Sequence, residues 1–348
     1  MRGHFWNGRT VIVAGSTGFF GGWLVRALHR YGARVVAIHR SSKPESQFFI
    51  GGLNEQVQVE HGSVYDHGFV ADLFHRVRPD FFFHAAYGAD VNRVLEQPLE
   101  CFRSSVESTW GILDLLRRTN PACVSIISSS DKAYGSQDLP YREDKPLTPM
   151  HPYEVAKASQ DLIAQSYGKV FGLPVAITRC GNYFGPYDFN ITRLIPGVVQ
   201  SLVNGQRPVL RSDGRFTRDF LYVEDAVDAQ LLLAERLSRD PTLRGEAFNF
   251  SYGEQLEVVD IVRRIIAIVG VDVEPEINDK AQAEIRHMHL SSEKAERLLG
   301  WKPHLGFDEG LRTTVAWYAD HFTRRLRRSL RDAQLDDDER DMEELKRA

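Results

Sequence analysis

The feature that most limits how this chain can fold is a rhythm in its first half. Short apolar runs alternate there with longer segments of helical spacing. The runs are TVIVAG (10–15), RVVAIH (34–39), QVQVE (56–60), DFFFHAA (80–86) and CVSIIS (123–128), and PVAITR (174–179) follows after a longer gap. Between them lie helix candidates at Phe19–Tyr31, His67–Val77, Leu99–Thr119 and Tyr153–Phe171. A strand with one wet face alternates polar and apolar residues, whereas a run that is apolar throughout needs cover on both faces. Strands of that kind, each followed by a helix, predict an α/β fold with a doubly wound parallel sheet.

After Arg179 the rhythm changes. CGNYFGPYDFN and RSDGRFTRD are rich in Gly, Pro, Asn and Asp and read as loops. Helices are expected at Glu224–Leu237, Val258–Val269, Ser292–Leu299 and Asp308–His321, mixed with short strands such as AFNFS. These pieces predict a smaller mixed α/β lobe, which a chain of 348 residues is long enough to carry beside a large sheet domain. A net charge of −4 gives no electrostatic case for nucleic acid, and the basic stretch RRLRRSLR runs directly into DDDERDMEE. Three widely spaced cysteines fit reduced thiols, and no apolar run approaches the ~20 residues of a membrane span, so a soluble, cytoplasmic protein is expected. No His/Cys/Asp/Glu spacing predicts a metal site; His84, His151 and the HMH at 287–289 read as core or rim residues.

Gly15, Gly18 and Gly21 form G-x-x-G-x-x-G at the junction of the first strand and first helix. Glycine suits a tight turn and close approach to a pyrophosphate, and the helix N-terminus supplies unpaired N–H groups. The sheet domain is therefore Rossmann-type, expected over 1–180 and 219–247. The substrate-binding lobe is expected over 181–218 and 248–322, and a charged tail over 323–348. An NAD site usually carries an acid at the end of the second strand. Here the sequence reads IHRSS, and Arg40 would suit a 2′-phosphate.

Tyr153 and Lys157 are spaced i,i+4 on one face of a predicted helix. A phenol is a weak base at neutral pH, and a lysine ammonium beneath it favours phenolate. Tyr141 and Lys145 share the spacing but are bracketed by Pro140 and Pro146, which excludes a regular helix there. One further stretch stands out. SSSDKAYG (128–135) puts Asp131 and Lys132 side by side where an apolar strand ends.

Together GSTGFFGG, SSSDKAYG, YEVAK, RCGNYFGPYDFN, RSDGRFTRDFLYVEDA and SSEKAERLLGWKP resemble the extended short-chain dehydrogenase/reductases that act on nucleotide sugars. The likeness covers roughly residues 8–320 and is greatest to nucleotide-sugar 4,6-dehydratases, the CDP-glucose 4,6-dehydratases in particular. It implies a lyase that oxidises C4, eliminates water across C5–C6 and returns hydride to C6. It assigns Tyr153 with Ser130 to the C4 hydroxyl, Lys157 to the tyrosine, Lys132 to the C5 proton and Asp131 to the leaving C6 hydroxyl. It places Thr17, Phe19, Ser63, Val64 and Ala85 beside the glycines at the cofactor, and Asn182, Arg193 and Arg218 at the nucleotide diphosphate.

Departures from the family pattern are Ser105, where Asn is frequent, Ser63, where Asp is frequent, and Ser130 in place of Thr. The resemblance favours NAD, which is the expectation, whereas Arg40 keeps NADP open. Enzymes of this kind pair through the helices at Leu99–Thr119 and Tyr153–Phe171, so a homodimer is expected. Two rival readings stay open at this stage: an epimerase, decarboxylase or reductase on the same scaffold, and a non-catalytic protein that kept the fold.

Overall fold

The computed structural model describes residues 2–86, 91–280 and 285–325. Its main sheet has seven strands: β1 (Thr10–Ala14), β2 (Arg34–His39), β3 (Gln58–His61), β4 (Phe81–His84), β5 (Val124–Ser128), β6 (Val175–Cys180) and β7 (Ala247–Phe250). Their spatial order is β7-β6-β5-β4-β1-β2-β3, and every neighbouring pair is parallel. Because all strands run the same way, the loops that leave them share one edge. The chain order reverses between β1 and β4, and that switch point is where an open parallel sheet leaves a crevice for ligand.

Eight helices carry labels below: α1 (Phe19–Arg30), α2 (His67–Val77), α3 (Ser108–Thr119), α4 (Pro152–Phe171), α5 (Leu194–Val203), α6 (Val223–Leu237), α7 (Val258–Val269) and α8 (Glu293–Leu299). Alternation along β1 shows how both sheet faces are buried. Val11 and Val13 pack with Leu24 and Val25 of α1 and Leu231 of α6. Ile12 and Ala14 face the other way, against Leu73 and Phe74 of α2 and Ile112 and Leu116 of α3. A third core, with Ile195 and Val199 of α5, Ile261 and Ile265 of α7, and Leu311 and Tyr318 of a helix over 307–325, builds the smaller lobe.

Two expectations change. AFNFS, read as part of the lobe from 248 onward, forms β7 and pairs with β6 as the edge strand of the main sheet. Ala295, Leu299 and Trp301, around α8, likewise pack into the core with Phe248 and Phe250. A four-residue strand carries too little periodicity to show which sheet it will join. The segment at Leu99–Thr119 also departs from one regular helix. It runs as a short α-helix (Pro98–Phe102), a π turn (Arg103–Glu107) and α3. Hydroxyls sit at this turn: Ser108 donates to Ser104 O at 2.7 Å and Thr109 to Ser105 O at 2.6 Å. Such back-bonds compete with the regular ladder of an α-helix. The tail expected at 323–348 lies beyond residue 325 outside the described residues.

One buried charge ties four elements together. Arg179 of β6 is 2% exposed. It donates from Nε and Nη2 to both carboxylate oxygens of Asp161 in α4, at 2.8 and 2.9 Å. Its Nη1 donates to the Tyr134 hydroxyl at 2.8 Å, and that hydroxyl donates to Asn249 Oδ1 of β7 at 2.8 Å. Replacing Arg179 with Met leaves Asp161 buried without its partner, so R179M should lose about 3–5 kcal/mol of stability in chemical denaturation. The double variant R179M/D161L, which removes both charges, should recover most of that loss.

Candidate active site

The carboxyl edge of the sheet collects the residues the sequence singled out. Gly15, just past β1, has φ +88, and a Cβ there would lie 2.6 Å from Ala85 O, just past β4. A Cβ on Gly21 would lie 2.1 Å from Gly15 O. Gly18 caps α1, and its amide donates to Gly15 O at 2.9 Å. The loop thus folds on itself and against the end of β4 so closely that no side chain fits at Gly15 or Gly21. That leaves backbone N–H groups and the start of α1 as the lining, a cradle that fits a dinucleotide pyrophosphate. Thr17 reaches Ser41 O at 3.5 Å, Phe19 opens α1, and Ser63 and Val64 follow β3. Arg40, just past β2, does not stand alone: it is paired with the Glu100 carboxylate and donates to the Tyr65 hydroxyl at 2.9 Å.

Tyr153 and Lys157 lie in the first two turns of α4. His151 and Glu154 cap that helix reciprocally, the Tyr153 amide donating to His151 Nδ1 at 3.2 Å and the His151 amide to Glu154 Oε2 at 3.2 Å. Lys157 is fully buried and donates to Ser128 O at 2.7 Å and to Gln160 Oε1 at 3.1 Å. Burial, opposed by Cys101 and Asp161, pushes its pKa down to about 7. The decoy pair behaves as its prolines require. Tyr141 bridges Leu290 outside any helix, and Lys145 bonds the Asp138 carbonyl.

Ser130 caps the 3-10 turn Asp131–Tyr134 that follows β5. Its hydroxyl donates to Asp131 Oδ1 at 2.9 Å and accepts from the Lys132 amide at 3.2 Å. Asp131 is 2% exposed, and its Oδ2 is buried with no hydrogen-bond partner. Burial raises its pKa, against the opposing pull of Lys132, Ser130 and Arg218. The carboxyl is therefore biased towards the protonated form that a general acid needs. Lys132, its neighbour, is only half-buried.

On the lobe side, Asn182 donates its side-chain amide to Asp219 O at 3.3 Å. Arg193 precedes α5 and donates to Asp188 Oδ2 at 2.7 Å. Arg218 donates to Ile285 O at 2.9 Å, and its charge is felt at Asp131. Asp219 is occupied by the Ser251 hydroxyl and the Leu290 amide, and burial holds its pKa up at about 8.

Several supporting residues escaped the sequence reading. Gln160 joins Lys157 to Thr109 of α3, donating at 3.0 Å. His84, read as a satisfied core residue, meets Ser108 Oγ at 2.7 Å through Nε2, while its Nδ1 is buried without a partner. Burial, and then Lys157, hold its pKa down at about 3. Arg179 did leave a signal, as a charge closing an otherwise apolar strand. Among the described residues no cluster of three or more His, Cys, Asp or Glu is placed to hold a metal.

A parallel sheet with a glycine cradle at its switch point, and a tyrosine–lysine pair beside it, defines a short-chain dehydrogenase/reductase site. A profile of the GDP-mannose 4,6-dehydratase family matches residues 12–314, and the chain belongs to that family. It is 28% identical over 331 residues to CDP-glucose 4,6-dehydratase of Salmonella typhimurium, covering 90% of this chain and 92% of the relative. It is 27% identical over 340 residues to dTDP-glucose 4,6-dehydratase 1 of Escherichia coli, covering 88% and 92%. Among solved structures, a dTDP-glucose 4,6-dehydratase of Streptomyces venezuelae with NAD bound superposes with TM-score 0.78 at 27% identity, covering 89% of this chain and 97% of that one. A UDP-glucose 4-epimerase of Thermotoga maritima with UDP-glucose gives 0.81 at 25%, covering 90% and 99%.

The buried lysine makes stability depend on pH. Its folded pKa, about 7, lies below its unfolded value, so between the two the unfolded state binds more protons. The cost of burying Lys157 is therefore full below pH ~7 and fades as pH rises towards the reference value near ~10.4. Thermal melts of K157M and wild type should differ most in the variant's favour at or below neutral pH. That difference should shrink steadily on going to alkaline pH; a difference independent of pH would contradict it.

Proposed function

We propose that this chain is an NAD-dependent nucleotide-sugar 4,6-dehydratase, converting an NDP-hexose, with CDP-glucose favoured, to the NDP-4-keto-6-deoxyhexose. The observation that carries the reading is the Ser130–Asp131–Lys132 turn, with a buried carboxyl biased towards its acid form on the strand edge next to Lys157. A 4-epimerase needs only reversible oxidation at C4, whereas elimination also requires an acid for the leaving hydroxyl and a base for C5. This chain has candidates for both.

The glycine cradle of Gly15, Gly18 and Gly21 would hold NAD, which would supply the hydride acceptor for C4 and the hydride donor for C6. Tyr153 withdraws the C4 hydroxyl proton, assisted by the Ser130 hydroxyl and by Lys157 behind it. The 4-ketone acidifies C5–H, and Lys132 removes that proton. Asp131 delivers its proton to the C6 oxygen, which departs as water, and protonated Lys132 returns a proton to C5 as C6 receives the hydride. Burial favours recovery of the Asp131 acid form from the proton left on Tyr153. Asn182, Arg193 and Arg218 are assigned to the nucleotide diphosphate, for which a guanidinium fork is well shaped. Relatives of known activity on CDP- and dTDP-glucose support the substrate class.

A homodimer fits the same reading. Leu99, beside the π turn, is 67% exposed, and Leu162 and Phe171 on α4 are 56% and 52% exposed. Apolar side chains on neighbouring helices with no cover mark an association surface. Light scattering at micromolar protein should give twice the chain mass, and a monomer would exclude the assembly.

The pair Asp131 and Lys132 separates the two halves of the reaction. In D131N or K132A, loss of one proton-transfer group should slow elimination by about 10²–10⁴-fold while oxidation at C4 continues. A single turnover should then accumulate reduced cofactor beside a 4-keto sugar that keeps its C6 hydroxyl. Wild type in D₂O should place deuterium at C5 and release a product lighter by one water. Unimpaired dehydration by both variants would remove Asp131 and Lys132 from the elimination step, and a C4-inverted sugar from the wild type would move the chain to the epimerases.

A further inference from the structure

We infer that Glu100 sets the cofactor preference of this chain, by occupying the arginine that would otherwise receive a 2′-phosphate. The inference deepens the cofactor reading above and rests on it.

Arg40 follows the last residue of β2, the place from which a dinucleotide fold reads the adenosine ribose. A free guanidinium there favours a 2′-phosphate, because its forked donors match the phosphate oxygens. In this structure one prong of that fork, Nη1, is engaged. Arg40 is paired with the Glu100 carboxylate and donates to the Tyr65 hydroxyl at 2.9 Å. The Tyr65 hydroxyl also lies 3.2 Å from Glu100 Oε2.

These three residues come from different elements. Arg40 belongs to the loop after β2, Tyr65 to the loop after β3, and Glu100 to the short helix Pro98–Phe102. Arg103, the first residue of the π turn, lies over the Tyr65 ring at 5.0 Å and is itself held by Glu107 at 3.1 Å. The result is a latch across the adenosine end of the cleft, anchored in the helix that runs on to α3. It pairs Arg40, the cation just past β2, with a carboxylate and puts that carboxylate in a 2′-phosphate's path. A ribose diol is uncharged and can donate to a carboxylate, so NAD meets no such obstacle. The side chains of Arg40 and Glu100 are 55% and 33% exposed, so solvent screens the pair and the discrimination is graded rather than absolute.

The test is a fluorescence titration of the full chain, freed of copurifying nucleotide, with NADH and with NADPH and no sugar present. Wild type should bind NADH more tightly. E100Q should keep its NADH affinity within about twofold and gain on the order of tenfold for NADPH, the scale set by freeing one cation and removing one anion at a partly exposed site. E100A should behave alike, and raising the salt should erode the gain. Adding R40A to E100Q should abolish it. Unchanged NADPH affinity in both Glu100 variants, or a wild type that already prefers NADPH, overturns the assignment of Glu100 while leaving the cofactor site standing. Failure of the wild type to bind either nucleotide overturns the cofactor reading and this inference together.

Discussion

A guanidinium sealed from water is expensive to bury, and in this protein the contacts that compensate it also hold the site in register. Arg179 reaches Asp161 on the helix that carries Tyr153 and Lys157, and Tyr134 at the end of the turn that carries Asp131 and Lys132. Tyr134 in turn reaches Asn249 on the edge strand. The groups proposed for oxidation and those proposed for elimination sit on separate segments of chain, and this cation binds to both. Hydrophobic contact alone would set their distance only loosely, since apolar packing has no direction. Bidentate hydrogen bonds fix angle as well. The network is a source of geometric order first and of stability second, because a buried ion pair gains little over apolar residues of the same size.

Electrostatics beneath the tyrosine follow the same pattern of burial opposed by a few polar contacts. Lys157 donates to the Ser128 carbonyl and to the Gln160 amide oxygen, both uncharged acceptors. Desolvation therefore dominates and brings its pKa to about 7. Asp131 is shifted in the opposite sense by the same cause. One physical effect thus moves a base and an acid in opposite senses, each towards its uncharged form.

Much of this was legible in the sequence, for reasons that differ by element. β2 and α7 match their expected bounds residue for residue, because a closed apolar run and a strong amphipathic period are both local signals. The glycine cradle was legible because its constraint is steric and admits one residue type. Proline context separated Tyr153–Lys157 from Tyr141–Lys145, and the structure keeps only the first pair on a helix. What escaped was non-local. AFNF joined the main sheet through a partner strand about seventy residues earlier, and the engagement of Arg40 depends on Glu100 and Tyr65, which no window around residue 40 contains. Pairing across the fold leaves no periodicity to read.

The π turn at Arg103–Glu107 gives the helix that contains it two phases. A π turn amounts to one residue inserted in an α-helix, a rotation of ~100° between the parts on either side. Upstream of it, Glu100 points to Arg40; downstream, Ser108 faces His84 and Thr109 meets Gln160 behind the lysine. A single-residue deletion in this turn would swing the upstream part round while leaving the downstream contacts in place. The smallest possible length change in the chain would therefore exchange the charge presented to Arg40 without disturbing the support of Lys157.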